Sequence, residues 1–514
     1  MTLRATEGLR CLLLCGVFSL GWVGCDATDP TRPADRPAPA GGTDQGTDGG
    51  TDAPPDGGEG GTEEPPDGGE DPTDGGEDPP DGGEEVPPDA VPPEVPDLEN
   101  WTFYTVEQGA PADVRAVSMD RGGNVWVAGG REGLFLLRPG ATAFERFGLE
   151  DGLRPYGYMD DGSAPPGAEN IALEVISVEG GPAGTVWVGY AGHPRCESNY
   201  DTPEEDPAIY KSGDADRVEL NGDGTLSVVH YDIFSGPGVV GGYHRSREKL
   251  CHVLRMAWDP STDSIWFGAN HGFARGEAGF AGDPTCNGQL HCTGVLEHAH
   301  PHIGARNAEG QIIILTDAYY GVAPAPNGDV WFGGANRSTR FRYMSNSRRP
   351  GDYFRAAYET EAPEFAWNRL DLWRDAVDET GYPGPGDRTD DLISAMVAMP
   401  DDTVWAASFA WGLVHLNSSG DVIGHALSGA ADRNVSALAR DPSDGGLWAG
   451  HRYGGGLTRL RGGSIVRLWE ALGELGSHPV MDLEAVQHDG GRSLWVAFGP
   501  YEERAGVLGL YRGP

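Results

Sequence analysis

From residue 99 onward, apolar and polar positions alternate in short runs broken by Gly, Asp and Asn. A period of two predicts β-strands with one buried face, and the breaking residues predict tight turns. Seven of these runs share a tryptophan. They read Gly-Gly-Asn-Val-Trp126-Val, Gly-Thr-Val-Trp187-Val-Gly, Asp-Ser-Ile-Trp266-Phe-Gly, Gly-Asp-Val-Trp331-Phe-Gly, Asp-Thr-Val-Trp405-Ala-Ala, Gly-Gly-Leu-Trp448-Ala-Gly and Arg-Ser-Leu-Trp495-Val-Ala. Upstream of each lies another alternating run, such as Val114-Arg-Ala-Val-Ser-Met-Asp120 or Val435-Ser-Ala-Leu-Ala-Arg-Asp441. Downstream there is often Gly-Leu and a further strand, as in Gly133-Leu-Phe-Leu-Leu and Gly456-Leu-Thr-Arg-Leu. An Asp/Asn-Gly turn between two such runs predicts a hairpin. The Trp ring is large enough to fill the gap between neighbouring sheets.

One such sheet cannot bury both its faces. Seven arranged radially can, and a closed ring leaves no long exposed edge. The expected fold is therefore all-β, a seven-bladed β-propeller over residues 99–514. The last two Trp spacings, 43 and 47 residues, approach a bare four-stranded blade, so the longer earlier spacings predict insertions. The final repeat shows only three strands before the chain ends. Trp101-Thr-Phe-Tyr-Thr-Val106, an unpaired run, is expected to supply its outer strand and close the ring. The pattern Val-x-x-Val-x-x-Asp-x-x-Gly-Asn-Val-Trp-Val followed by Gly-Leu resembles the two-component-regulator propeller repeat, a WD40-like propeller family. The resemblance implies the fold; it does not imply a particular activity. Propellers of that family often form periplasmic sensor regions of membrane kinases. No kinase region follows here, so the expectation is a free-standing relative.

The first 98 residues read differently. Arg4 and Arg10 precede the apolar run Cys11–Leu20, which is too short to span a bilayer and has the form of an export signal over residues 1–24. Gly24 before Cys25 resembles a bacterial lipobox, with Trp22 where that pattern prefers Leu. The resemblance implies a diacylglycerol-modified Cys25 and a cell-envelope lipoprotein, facing the periplasm or the outer surface. Residues 25–98 carry Pro-Pro-Asp-Gly-Gly-Glu starting at Pro54, Pro65 and Pro79, with a Pro-Thr variant starting at Pro72. With almost no apolar side chains to bury, this acidic stretch is expected to be a disordered, extended linker. The net charge of -42 argues against nucleic acid as a partner and against docking on an anionic membrane, leaving the lipid anchor as the membrane contact. A monomer is expected.

Strand order places the candidate chemistry. If the Asp-Gly hairpins lie on one face, the bottom, then the residues before each inner strand ring the channel mouth at the top. These are Asp113, Ala172, His252, Tyr319 or Tyr320, Asp391, Asn434 and Asp482. The loops after the Trp strands add Arg131, His193, His271, Arg337, Trp411, His451, Arg452 and Tyr453, and the long insertions lie mostly on the same side. Loops on a rigid scaffold concentrate binding residues. The carboxylates, His and Asn of the ring are candidates for a ligand or a divalent cation. Polar residues before strands also serve as plain turn caps.

Once Cys25 is assigned to lipid, Cys196, Cys251, Cys286 and Cys292 remain, an even number that suggests two disulfides in an oxidising compartment. Cys196 falls in the top loop of the second blade and Cys251 just before the inner strand of the third. Cys286 and Cys292 lie close together in one insertion. The expected pairs are Cys196–Cys251 and Cys286–Cys292. The insertion also carries His291, His298, His300 and His302, whose spacing fits no standard zinc site. Asn221-Gly-Asp223-Gly reads as a hairpin turn rather than a calcium loop.

No nucleophile elbow, phosphate loop, dinucleotide fingerprint or His-Glu-x-x-His occurs. The favoured function is a non-enzymatic binding or scaffold module that takes a protein or small-molecule ligand on its top face. The alternatives are a metal-assisted propeller lyase or hydrolase, faintly suggested by the Gly-Asp-Val-Trp331-Phe-Gly strand, and a sensor subunit for a separate signalling protein.

Overall fold

A computed structural model describes residues 90–159, 161–196, 206–232, 250–270, 272–282, 294–299, 318–334, 337–341, 393–409, 412–429, 434–452, 456–468, 470–488 and 491–513. These residues form antiparallel sheets, each built around one tryptophan hairpin. The first comprises β2–β5 (Ala116–Met119, Val125–Ala128, Leu134–Leu137, Glu145–Phe147), and the second β6–β9 (Val175–Gly180, Thr185–Tyr190, Ala215–Leu220, Leu226–Tyr231). The third comprises β10–β13 (Val253–Asp259, Ser264–Ala269, Gly272–Glu277, Val295–Ala299). The fourth comprises β14–β16 (Tyr319–Pro324, Val330–Gly334, Arg337–Phe341). The fifth is β17–β20 (Ile393–Ala398, Val404–Ser408, Gly412–Leu416, Val422–Ala426) and the sixth β21–β24 (Val435–Arg440, Leu447–His451, Leu457–Arg461, Ser464–Arg467). The last joins β25–β27 (Val480–His488, Gly491–Phe498, Val507–Tyr511) to β1 (Trp101–Tyr104). The chain folds as a β-propeller. Where a seven-bladed propeller was expected, six four-stranded blades form among the described residues, and β14–β16 is a sheet of three strands.

Each sheet forms because its hairpin turns are satisfied from within. Asp120 shows the device. Its carboxylate accepts from the backbone N–H of Gly122 and Asn124, from the Asn124 amide and from the Trp126 indole (3.2 Å). It also accepts from Gly184 N–H in the next sheet (2.9 Å), so one side chain closes a turn, seats a tryptophan and ties two blades. Asp441 repeats the indole contact with Trp448.

The tryptophans do what their size suggests. Trp126 packs among Val175, Val178, Val186 and Val188 of the second sheet, and Trp187 among Val253, Met256, Ile265 and Phe267 of the third. Trp448 packs on the last sheet, and Trp495 packs back on Val117, Val125 and Val127 of the first. Trp405 packs against Leu438, Leu447 and Ala449 of the sixth sheet but is only half-buried, and its ring stacks on His415, centroids 4.2 Å apart.

The glycine two residues after the Trp has its own reason. A Cβ on Gly189 would stand 2.8 Å from the Val253 carbonyl oxygen, and one on Gly450 only 2.2 Å from Val480 Cγ1. The next inner strand passes there. Serines on the inner strands then fasten the contact: the Ser177, Ser394 and Ser436 hydroxyls donate to the carbonyls of Val253, Val435 and Val480 in the following sheets (2.6, 2.5 and 2.5 Å).

Closure comes from the N-terminal side. β1 pairs antiparallel with β27, Trp101 opposite Tyr511 and Tyr104 opposite Leu508. Trp101 stacks on Phe103 (5.3 Å) and lies against Phe498 and Tyr511. Upstream, Val91 forms a bridge with Arg504; its N–H donates to the Glu503 carbonyl and its carbonyl accepts from Ala505 N–H. The chain therefore joins the propeller at the loop between β26 and β27, ahead of the boundary at residue 99 suggested by composition.

Candidate functional site

The inner strands β2, β6, β10, β14, β17, β21 and β25 pack in succession around an axis. Between them lies a cavity of about 160 Å³, with room for several water molecules. Its charged lining is confined to three strands: Glu179 on β6, Arg255 on β10, and Asp482 and Glu484 on β25.

Register shows how the sequence places these groups. Glu179 is paired with Trp187 and Glu484 with Trp495, so the two glutamates hold the same position in their sheets. Ser118, paired with Trp126, holds it in the sheet between them. Elsewhere this position is Ala257, Ala323, Val397 or Ala439. Two residues nearer the top the series runs Ala116, Ser177, Arg255, Gly321, Ala395, Ala437 and Asp482. Small residues around the ring leave space, and two opposite charges face each other across it.

Arg255 Nη1 donates to Asp482 Oδ1 at 2.6 Å. Asp482 also accepts from Val117 N–H (3.2 Å) and from its own neighbour Leu483 N–H (3.0 Å). Glu179 Oε1 accepts from Trp258 N–H at 3.0 Å. Burial pushes Glu179 up to about 7, helped by the Asp482 charge and opposed by the Trp258 N–H and by Arg255. Burial also pushes Glu484 well above the usual carboxylate range, reinforced by Glu179 and Asp482 and opposed by Arg255.

The expected ring of channel-mouth residues is only partly brought together. Tyr320 and Asp482 line the cavity. Asp113 is buried at the top of the first sheet, ion-paired with Arg115 Nε (2.6 Å). His252 Nδ1 accepts from Gly192 N–H (3.1 Å), bridging the second and third sheets. Asn434 offers its carbonyl to Arg452 N–H. Asp391 lies outside the described residues. Of the top-loop residues, Arg131 is exposed and approaches Glu174 (3.8 Å). His451 is buried, its Nε2 on the Thr458 hydroxyl (2.9 Å), and Arg452 lies over the Phe409 ring (5.1 Å). Arg337 is on β16, with no side-chain position described; His271 and Trp411 lie outside the described residues. Among the described residues, no three His, Cys, Asp or Glu side chains are grouped to hold a metal ion.

Sequence reasoning missed Glu179, Arg255 and Glu484. The signal was a charge inside strands that otherwise read apolar: Val-Ile-Ser-Val-Glu179, Val253-Leu-Arg255-Met and Asp482-Leu-Glu484-Ala.

At the top of the second and third sheets, Cys196 and Cys251 form a disulfide with Cα atoms 6.1 Å apart, as their placement on one face predicted. Both are fully buried. Cys286, Cys292 and Cys25 lie outside the described residues. Beside this bridge sits a buried polar cluster. His230 Nδ1 contacts Asp216 Oδ1 (2.7 Å), its Nε2 is 3.6 Å from Asp214 Oδ2, and the Tyr190 hydroxyl donates to Asp216. Burial alone would lower His230, yet Asp214 and Asp216 outweigh it and hold the imidazole above its ordinary value. Asn221 to Thr225 make the expected hairpin turn between β8 and β9, with Asp223 bonded to Thr225.

No family model and no curated protein matches the chain. Solved structures with similar folds include a mitotic checkpoint complex (11% identity, 82% of this chain and 92% of that one, TM-score 0.44). Another is YCF48 bound to a D1 peptide (13% identity, 82% and 100%, TM-score 0.43). A third is the extracellular domain of a hybrid two-component system from B. thetaiotaomicron (11% identity, 81% and 40%, TM-score 0.43). Among the described residues no helix is long and apolar enough to cross a membrane. The sheet order and the tryptophan packing on their own identify the domain as an all-β propeller.

Proposed function

We propose that this chain is an exported, lipid-anchored propeller that acts as a binding or scaffold module, taking a protein or small-molecule ligand on its top face. The three-stranded β14–β16 sheet serves as the seventh blade of the ring. The observation that carries the reading is the Cys196–Cys251 disulfide. It is a covalent tie between adjacent sheets, placed on the loop-bearing face. Such a tie persists in an oxidising compartment and stiffens the platform on which variable loops sit. The buried His230–Asp216–Tyr190 cluster beside it supports the same region from below.

The test places a photo-crosslinking residue at Arg131, an exposed top-face position, and at Asp223, an exposed bottom-face turn, in the full chain in cells. A discrete adduct from position 131 and none from 223 is expected; adducts from 223 alone would overturn the face assignment. In the same cells Cys25→Ser should move the protein out of the membrane fraction. Unchanged membrane association would remove the lipid anchor from the account.

A further inference from the structure

The axial cavity holds three carboxylates and one guanidinium, contributed by three strands. β10 and β25 are not neighbours in the ring, so the Arg255–Asp482 ion pair spans the axis instead of joining adjacent blades. Asp482 is also bonded to Val117 N–H on β2, and Glu179 on β6 to Trp258 N–H on β10. Among the described residues the Glu484 carboxylate has no hydrogen bond or ion pair, though it shares the cavity with all of these groups.

We propose that the axial channel is a proton-controlled latch, in which the Arg255–Asp482 bar across the axis holds while Glu179 and Glu484 are protonated and loosens as they ionise. With all groups ionised, three carboxylates confront one guanidinium across a small axial cavity. Like charges so placed disfavour joint ionisation, and a proton is the simplest relief. With the glutamates neutral, Arg255 has one anionic partner and the bar is balanced. As they ionise, both compete for Arg255 and both repel Asp482.

The groups facing Glu484 are few. They are Asp482 on its own strand, Glu179 on β6, Arg255 on β10 and the Tyr320 phenol on β14; β2, β17 and β21 line the cavity with Val117, Ser118, Ala395, Met396 and Leu438, none of which titrates. Burial and the neighbouring carboxylates raise both glutamates, Glu179 to about 7. The two interact and titrate as a pair. The sign follows. Between the ordinary value of 4.5 and about 7 the folded protein holds more protons than the unfolded chain, so this contribution to stability is complete below 4.5 and is lost as pH rises through about 7.

The experiment is thermal melting of the full chain from pH 5 to 9, for the parent and for Glu179→Gln, Glu484→Gln and the double variant. His230 contributes a trend of the same sign, so the difference between parent and variant is the readout. The double variant is expected to lie closest to the parent at pH 5 and to melt several degrees higher at pH 8.5. Identical pH profiles for parent and double variant would overturn the latch. Should the variants fail to fold, hydrogen exchange in the parent decides. Corrected for intrinsic rates, the Val117 amide, which donates to Asp482, should lose protection between pH 6 and 8.5. Constant protection would overturn the proposal.

Discussion

At the residue scale, the repeat is a set of small steric and polar solutions used again and again. A glycine after the tryptophan admits the next inner strand, a serine hydroxyl binds that strand's carbonyl, and an aspartate after the inner strand closes the turn. Gly450 is the sharpest case, because a methyl group there would sit 2.2 Å from Val480 Cγ1, inside a well-packed interface. Gly450→Ala should destabilise the protein by about 1–3 kcal/mol, the usual cost of overpacking. Denaturant midpoints measure it; an unchanged midpoint would mean that the sixth and last sheets can part without penalty. The motif tryptophans and glycines were visible in the sequence because their reasons are local. The channel charges were not. Glu179 lies eight residues before its Trp and Glu484 eleven before its own, although both are paired with that Trp. Hairpin length varies between units, so counting along the chain does not align them, and only the register does.

At the scale of elements, the disulfide links the loop after β7 to the approach to β10 across 55 residues. The chain-entropy argument allows roughly 4 kcal/mol for a loop of that size, as an upper bound. Cys251→Ser should therefore cost a few kcal/mol, read as a lower denaturant midpoint. Non-reducing peptide mapping of the parent should recover the 196–251 pair, and free thiols at both positions would contradict it. Assigning both cysteines to the top face needed only strand order, which is why this contact was legible. The expected ring of top-face residues fared differently. His252 and Asp113 precede inner strands as expected, but nearby partners hold them: Gly192 N–H for His252 and Arg115 for Asp113. Position before a strand fixes where a residue starts; its hydrogen-bond partners decide where it ends.

At the scale of the whole molecule, the ring is closed by strands from opposite ends of the propeller sequence. β1 completes the last sheet, and the Trp101, Phe103 and Tyr104 side chains fill the space beside Phe498, Tyr511 and Trp495. Without β1 the last sheet would present β27 as an open edge, and Trp101 would leave its stack empty. The short run Trp101–Val106 announced this role by alternating beyond the acidic linker with no hairpin partner of its own. The blade count was less legible, because the tryptophan repeat marks hairpins and carries no information on whether a fourth strand follows. The central claim is that the molecule is a propeller whose ring is locked by its N-terminal strand. The most direct measurement is the melting temperature of the chain lacking residues 99–106 against that of the parent. Losing a strand and three packed aromatics should lower it by at least ~5 °C, on the scale by which a few kcal/mol move the midpoint of a large domain; a truncated chain that melts with the parent would contradict the closure.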